Sequence, residues 1–453
     1  MPAQSIIHAV AERLALGAAS AADLAQALAV SQATLSRTMR ALERDHRVLR
    51  MGSTRGARYA LHRTVAAIGS QWPIYRVDEE GTPHEMGDLH ALARDSYYVT
   101  GGPQRIQRLT EGLPYFLQDG RPAGFLGRTV PAAYPELDLP ARVVDWTDEH
   151  FLIYLTQRAV DMGGNLIVGA EALNRHLART HAPVVVPAQN RNTAYPAFAT
   201  ASMAGAPPGS SAHGEQPKFT ACIAEGERRT HVIVKFSPPR SSPVGQRWAD
   251  LLTAEHLAHR ELEEHGISAC RSALFDYDDR VFLECERFDR IGADGRRGAV
   301  SLFALDTSRY GKLDNWSAAA NRLAADAVLS AEDAERMRLL DAFGALTANT
   351  DRHFGNVMLF DRYAGPFELA PAYDMLPMLF APQDGQMVAR QFEPPTPTAV
   401  WLSVWPRARA LAAAYWTRLI QDPRISVGVR DLSAQCLAAL RTSPKPGALA
   451  KAP

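Results

Sequence analysis

Asp351 and Asn356 stand five residues apart in the segment NTDRHFGN, and Asp374 follows 18 residues later in LAPAYDMLP. Asp-x-x-x-x-Asn is the spacing of a kinase catalytic loop. There the acid accepts the proton of a substrate hydroxyl, and the amide oxygen five residues on ligates Mg2+. Asp374 offers the second hard oxygen donor that such an ion needs. His353 lies inside the same loop. The spacing alone arises by chance in a chain this long, so its weight depends on what precedes it.

What precedes it is a phosphate-binding layout. Residues 199–216 (ATASMAGAPPGSSAHGEQ) are Ala, Gly, Ser and Pro with few large apolar groups, the composition of a mobile loop. A strand, PKFTACIA, comes next, then a charged turn and a second strand, THVIVKF, carrying Lys235. Backbone N–H groups of such a loop, with Ser211, Gly214, Gln216 and Lys218 in or beside it, can close over phosphates while Lys235 neutralises their charge. Glu255, on the following helix RWADLLTAEHLAHREL, is spaced to pair with Lys235. A lysine after VIV is also what a surface edge strand carries. VFLECERFDR is a further strand whose end bears Glu286 and Phe288, where a hinge would hydrogen-bond and pack on adenine; the alternative is a strand end with a surface salt bridge.

These groups need elements to hold them. An apolar helix running through DAFGALTA ends at Asn349–Thr350, and after the loop a strand (VMLF) turns into a second strand before Asp374. Between residues 64 and 71 the chain reads as a linker. WPIYRVDEEG and PYFLQDGRPAGFLGR read as short strands, and residues 145–177 as helical.

The first seventy residues have a different character. Residues 6–16 and 21–28 read as helices, and Ser31 caps a third, SQATLSRTMRALERD, with Leu35, Met39 and Leu42 on one face. A strand–turn–strand segment, VLRMGSTRGARYAL, follows. Two helices joined by a short turn and then a β-wing make a winged helix-turn-helix, whose second helix enters the major groove. From Ser31 to Arg63 there are eight arginines against two acids, an electrostatic footprint for phosphates. Gln32, Thr34, Ser36, Arg37, Arg40, Arg55 and Arg58 are the DNA-binding candidates. A winged helix used only for protein contacts, its arginines merely solvated, is the alternative.

The 453-residue chain is 46% hydrophobic and 22% charged, with 49 basic residues balanced by 49 acidic ones, so any nucleic-acid surface must be local. Its four cysteines, Cys222, Cys270, Cys285 and Cys436, are widely spaced without paired ligand spacing and point to neither a disulfide framework nor zinc. Neither a signal peptide nor 18 unbroken apolar residues is present, which predicts a cytoplasmic address.

Taken in order, SSAHGEQPK, HVIVKF, CERFDR, NTDRHFGN and LAPAYDMLP resemble the HipA family of toxin kinases. The fused helix-turn-helix resembles its YjjJ-type branch. The resemblance implies that Asp351 is the catalytic base, that Asn356 and Asp374 hold Mg2+, that Lys235 binds the ATP phosphates, and that Glu286 and Phe288 frame the adenine. It also implies autophosphorylation at Ser211, with Ser210 beside it as the other candidate. The strings HRD, DFG and GxGxxG are absent, which sets the chain apart from eukaryotic-type kinases.

The expected fold is α+β: a winged helix-turn-helix (1–65), a family-specific subdomain (75–185), a β-rich lobe (186–295) and a helical lobe (296–445). The expected cofactors are ATP and Mg2+. The expected partners are DNA and a protein substrate, with an antitoxin and a second copy of the chain as further candidates. A nucleotide-sensing transcription regulator and a Mg2+-dependent enzyme acting on DNA are the competing readings.

Overall fold

The computed structural model describes residues 3–52, 56–102, 109–178, 184–204, 216–363 and 365–442. The first unit consists of α1 (Ala3–Ala15), β1 (Ala19–Ser20), α2 (Ala21–Ala27), α3 (Gln32–Arg44), β2 (Val48–Met51) and β3 (Arg58–Leu61), with sheet order β1-β3-β2. Ser20 closes a capping box with Asp23, and the Ser31 hydroxyl accepts from the Thr34 amide at 3.2 Å, so both helix starts are satisfied locally. Leu35, Met39 and Leu42 of α3 pack on Val10, Leu14 and Leu24. The opposite face leaves Ser36, Arg37, Arg40 and Arg44 exposed.

The segment read as a linker is packed into a seam: Val65 is buried and the Ser70 carbonyl accepts from the Ala91 amide at 2.9 Å, and the residues just before it join in. Arg63 donates from its backbone to the Ala91 carbonyl and Ala93 to that of Leu61, each at 2.9 Å. The Arg63 side chain turns inward to Glu149, to the Tyr97 hydroxyl at 3.1 Å and to the Leu92 carbonyl at 3.2 Å. Met51 and Ala60 share an apolar cluster with Leu92 and Tyr98, and Val65 lies fully buried in the core of the next unit. His62 stacks on His90 at a ring separation of 5.4 Å.

That next unit contains β4 (Gln71–Val77), β5 (Pro83–Leu92), β6 (Ser96–Gly101), β7 (Leu109–Glu111) and β8 (Leu166–Val168), ordered β7-β6-β5-β4-β8. Its helices are α4 (Tyr115–Gln118), α5 (Gly124–Gly127), α6 (Val130–Ala133), α7 (Asp148–Gln157) and α8 (Ala170–Leu177). Two expectations change here. PYFLQDGRPAGFLGR forms the short helices α4 and α5: Pro114, its φ restricted, opens α4, which buries Tyr115 and Leu117, and α5 buries Phe125. Residues 145–177 are not continuously helical: Gly164 (φ +78°) and Gly169 (φ +90°) lie outside the right-handed region and flank β8, which pairs with β4.

The upper lobe is a five-stranded sheet of β9 (Val185–Pro187), β10 (Lys218–Glu225), β11 (Arg228–Phe236), β12 (Ser272–Tyr277) and β13 (Arg280–Glu286), ordered β12-β13-β11-β10-β9. It carries α9 (Arg191–Ala204) and α10 (Pro243–Glu264). Ala199–Ala204, predicted as the start of a loop, instead continue α9, with Ala199 buried. The two-stranded ribbon β14 (Arg290–Ile291) and β15 (Gly295–Arg296) leads to the lower lobe. There β16 (Ala299–Ser301), β17 (Met358–Phe360) and β18 (Glu368–Leu369) form a small sheet. The helices are α11 (Leu302–Arg309), α12 (Trp316–Ala325), α13 (Ala331–Leu346), α14 (Trp405–Gln421) and α15 (Val427–Thr442), around a core that includes Trp316, Phe343, Trp405, Tyr415 and Trp416. Among the described residues no helix is long and apolar enough to cross a membrane.

Candidate active site between the two lobes

Val232, Val234 and Phe236 alternate into the upper core, which turns Lys235 to the other face of β11, opposite Lys218 of β10 in register. The Lys235 ammonium donates to both Glu255 oxygens, at 2.6 and 2.8 Å, and to Asp374 across the cleft. Lys235 is 7% exposed and Glu255 is not exposed at all. Burial alone would lower the lysine's pKa, yet Asp374 and Glu255 outweigh it and raise it well above its ordinary value. Burial likewise opposes ionisation of Asp374, but Lys235 and Lys218 hold its carboxyl at about 2. Glu255 moves up, because burial exceeds what Lys235 returns to it.

The facing loop leaves α13 at Thr347. Asn349, 1% exposed, ties both ends together: its Oδ1 accepts from the Asp351 amide at 2.9 Å, and its Nδ2 donates to the Asp374 carbonyl at 3.2 Å. Asn356 donates from Nδ2 to the Asp351 carbonyl at 2.8 Å, which commits its nitrogen and leaves the amide oxygen as the group suited to a cation. Arg352 binds buried Asp341 at 3.2 Å, and Asp341 also accepts from Ser317 (2.6 Å) and Trp401 (3.1 Å). The Tyr373 hydroxyl donates to the Gly355 carbonyl at 2.7 Å. Asp374 itself has φ +53°, a conformation that costs an L-residue about 1–2 kcal/mol and marks a held position.

Asp351 is half exposed, with Oδ1 4.0 Å from His353 Nε2. Burial, reinforced by the Asp374 charge, raises its pKa against the pull of His353, Lys218 and Lys235. His353 caps the 3-10 turn Phe354–Asn356, its Nδ1 accepting from the Gly355 amide at 3.0 Å.

The other predicted residues are less concentrated. Gln216 donates to the Phe236 carbonyl at 2.6 Å, and its buried Oε1 has no partner among the described residues. Glu286 directs its carboxylate to Arg228, 3.4 Å away. Phe288 packs edge-on against Phe360 and is tilted on Tyr373 at the lobe junction. Ser211, Ser210, Gly214 and Arg55 lie outside the described residues. In the first unit Gln32, Ser36, Arg37 and Arg40 are exposed on α3. Thr34 is engaged in the helix cap, and Arg58 donates to the Ala18 carbonyl. Arg63, counted in the basic excess, belongs to the seam. Sequence reasoning missed Asn349, Asp341, Arg352 and Tyr373; Asn349 and Arg352 lie in or beside the loop motif, but each of the four makes its supporting contact to a residue distant in sequence.

A β-rich lobe over a helical lobe is the fold of HipA. The solved complex of the Shewanella oneidensis MR-1 toxin–antitoxin system, HipA, HipB and operator DNA, aligns with a TM-score of 0.51. It shares 15% identity over 82% of this chain and 96% of that one. Residues 68–177 match the family model "YjjJ-like toxin, middle domain", and residues 210–430 match "HipA-like C-terminal domain". Toxin YjjJ of Escherichia coli (strain K12) is 36% identical over 422 residues, covering 92% of this chain and 94% of its own. The chain belongs to the HipA-like toxins, on the YjjJ-like branch.

Proposed function

We propose that this toxin is a Mg·ATP-dependent serine/threonine protein kinase, cytoplasmic, with a winged helix-turn-helix that binds DNA. The observation carrying the reading is the ammonium of Lys235 held by Glu255 and Asp374, facing a loop with Asp351 and Asn356. In this reading residues 1–65, 75–185, 186–295 and 296–445 are the DNA-binding, family-specific, nucleotide-binding and catalytic units.

Asn356 and Asp374 fit a Mg2+ ion by donor chemistry, an amide oxygen and a carboxylate kept ionised at about 2. The ion would supply charge neutralisation at the terminal phosphates. Lys235 neutralises the inner phosphates, and its release of Asp374 frees that carboxylate as a ligand. Asp351 accepts the proton of the substrate hydroxyl, and His353 stands beside it. Burial raises the Asp351 pKa, so transfer increases as pH rises through the raised value. Ser211, Gly214, Gln216 and Lys218 close over the phosphates, Glu286 and Phe288 form the hinge, and Ser211 is the autophosphorylated residue. Gln32, Ser36, Arg37 and Arg40 approach DNA, flanked by Thr34, Arg55 and Arg58. An antitoxin, a second copy of the chain and a target protein are the candidate partners.

The test is incubation with γ-labelled ATP and Mg2+, wild type beside Asp351→Asn, with mass spectrometry of the product. Label on Ser210 or Ser211 in the wild type alone is expected. Equal label in the variant refutes Asp351 as the base. Bound ATP without label in either protein favours a nucleotide-sensing regulator.

A further inference from the structure

Around Glu255, the partner of Lys235, three groups of different chemistry converge. Glu255 and His259 stand one helical turn apart on α10, and Cys285 lies on β13 against them. Their ligand atoms all fall within 4.8 Å of one another, and the three residues are 0, 1 and 8% exposed. His259 Nδ1 is bonded to the Ser272 hydroxyl at 3.1 Å. Its Nε2, buried, has no hydrogen-bond partner among the described residues and sits 3.8 Å from Glu255 Oε1. The Ser272 hydroxyl also meets His256 Nδ1, at 3.0 Å; donating its proton there, it accepts from His259 Nδ1–H, which leaves the His259 Nε2 lone pair facing the Glu255 carboxylate with a thiol alongside. Metal-ligating histidines are held in this manner, the second ring nitrogen donating its proton to an acceptor behind it.

We propose that Glu255, His259 and Cys285 bind a thiophilic divalent cation of the zinc class, and that its binding draws Glu255 away from Lys235. One nitrogen, one sulfur and one carboxylate oxygen are zinc's donors, at about 2.0–2.3 Å. Mg2+ prefers oxygen alone, so this site is distinct from Asn356 and Asp374. The fourth position falls to water; the Cys270 thiol, which neighbours Cys285, keeps its proton. On binding, the Cys285 thiol loses its proton to solvent and the S–metal bond forms. Glu255 Oε1, now 2.6 Å from Lys235, turns to the ion, leaving the ammonium to Asp374. The ion is thus an inhibitor, acting by dismantling the lysine's support. This last step rests on the kinase reading; the binding itself does not.

Full-length protein stripped with chelator is titrated with Co2+, and then with Zn2+ in competition, in excess Mg2+. Expected are one ion per chain, a sulfur-to-cobalt absorption band, and release of about one proton per ion read by calorimetry in two buffers. Losing the hydrogen-bond partner behind a ligand costs about 10–100-fold in affinity, so Ser272→Ala weakens binding in that range and Cys285→Ser or His259→Gln by more. Cys222→Ser and Cys436→Ser keep the band. Circular dichroism monitors folding, and Ser272→Ala, which leaves every ligand in place, carries the test where a ligand variant unfolds. A wild type without a sulfur band, or a folded Cys285→Ser that retains it, overturns the site. Phosphoryl transfer falling on Zn2+ loading in wild type but not in Cys285→Ser is expected; equal inhibition of both overturns the link to Lys235. A chain that transfers no phosphate at all fails the reading in the preceding section, and the cobalt titration still decides this one.

Discussion

Replacing Lys235 with methionine removes one ammonium and leaves two carboxylates facing each other in a space with almost no water. The side chain keeps nearly its volume, so the effect is electrostatic. Removing one partner of a buried ion pair costs about 3–5 kcal/mol. At roughly 2–4 °C per kcal/mol for a unit of 150–250 residues, Lys235→Met lowers the lobes' melting temperature by about 6–20 °C at pH 7.5. The pH dependence identifies the source. In the wild type, Asp374 at about 2 instead of its ordinary 3.8 contributes about 2 kcal/mol, present above pH 3.8 and lost as pH falls towards 2. The variant lacks that contribution. Glu255 runs oppositely: its raised pKa favours the fold at low pH, and this is lost as pH rises through the raised value. Without the lysine that value climbs further, so the gap between wild type and variant is wider at pH 8 than at pH 5. Calorimetric scans at both pH values measure it. A deficit below about 1 kcal/mol, or an equal gap at both, refutes the account.

Arg37→Ala combined with Arg40→Ala weakens binding to duplex DNA and lowers the slope of log K against log salt by about 0.9 for each phosphate no longer neutralised. Fluorescence anisotropy across a salt series reads this, and an unchanged slope removes α3 from the interface. Arg63→Met breaks the seam's hydrogen bonds to Tyr97 and Leu92 and its ion pair with Glu149, at roughly 2–3 kcal/mol. Hydrogen exchange should then rise at residues 61–63 and 91–93 together; unchanged protection means the paired backbone suffices without the side chain.

What the sequence could disclose was local. Ser31, Leu35, Met39 and Leu42 announce α3 because cap and apolar stripe lie within 12 residues, and Val232, Val234 and Phe236 announce β11 by alternation. Lys235, Asp351, Asn356 and Asp374 could be singled out because their order and spacing are written along the chain. The supports could not. Asp341 reaches Arg352, Ser317 and Trp401 through tertiary folding, and Asn349 links Asp351 to a carbonyl 25 residues away. Residues 64–71 looked like a linker because the burial of Val65 and the Ala91–Ser70 hydrogen bond leave no periodic mark. Arg63 looked like its basic neighbours because charge alone does not say which way a side chain turns. The cysteines made the same point in reverse: wide spacing hid that Cys285 lies beside His259 and Glu255.

The seam has a consequence for dissecting the molecule. Val65, at the edge of the first unit, is fully buried in the core of the second, and Leu92 and Tyr98 are covered by Met51 and Ala60. A chain trimmed at residue 65 therefore bares an apolar patch and loses a backbone rung, so the first unit is no detachable accessory.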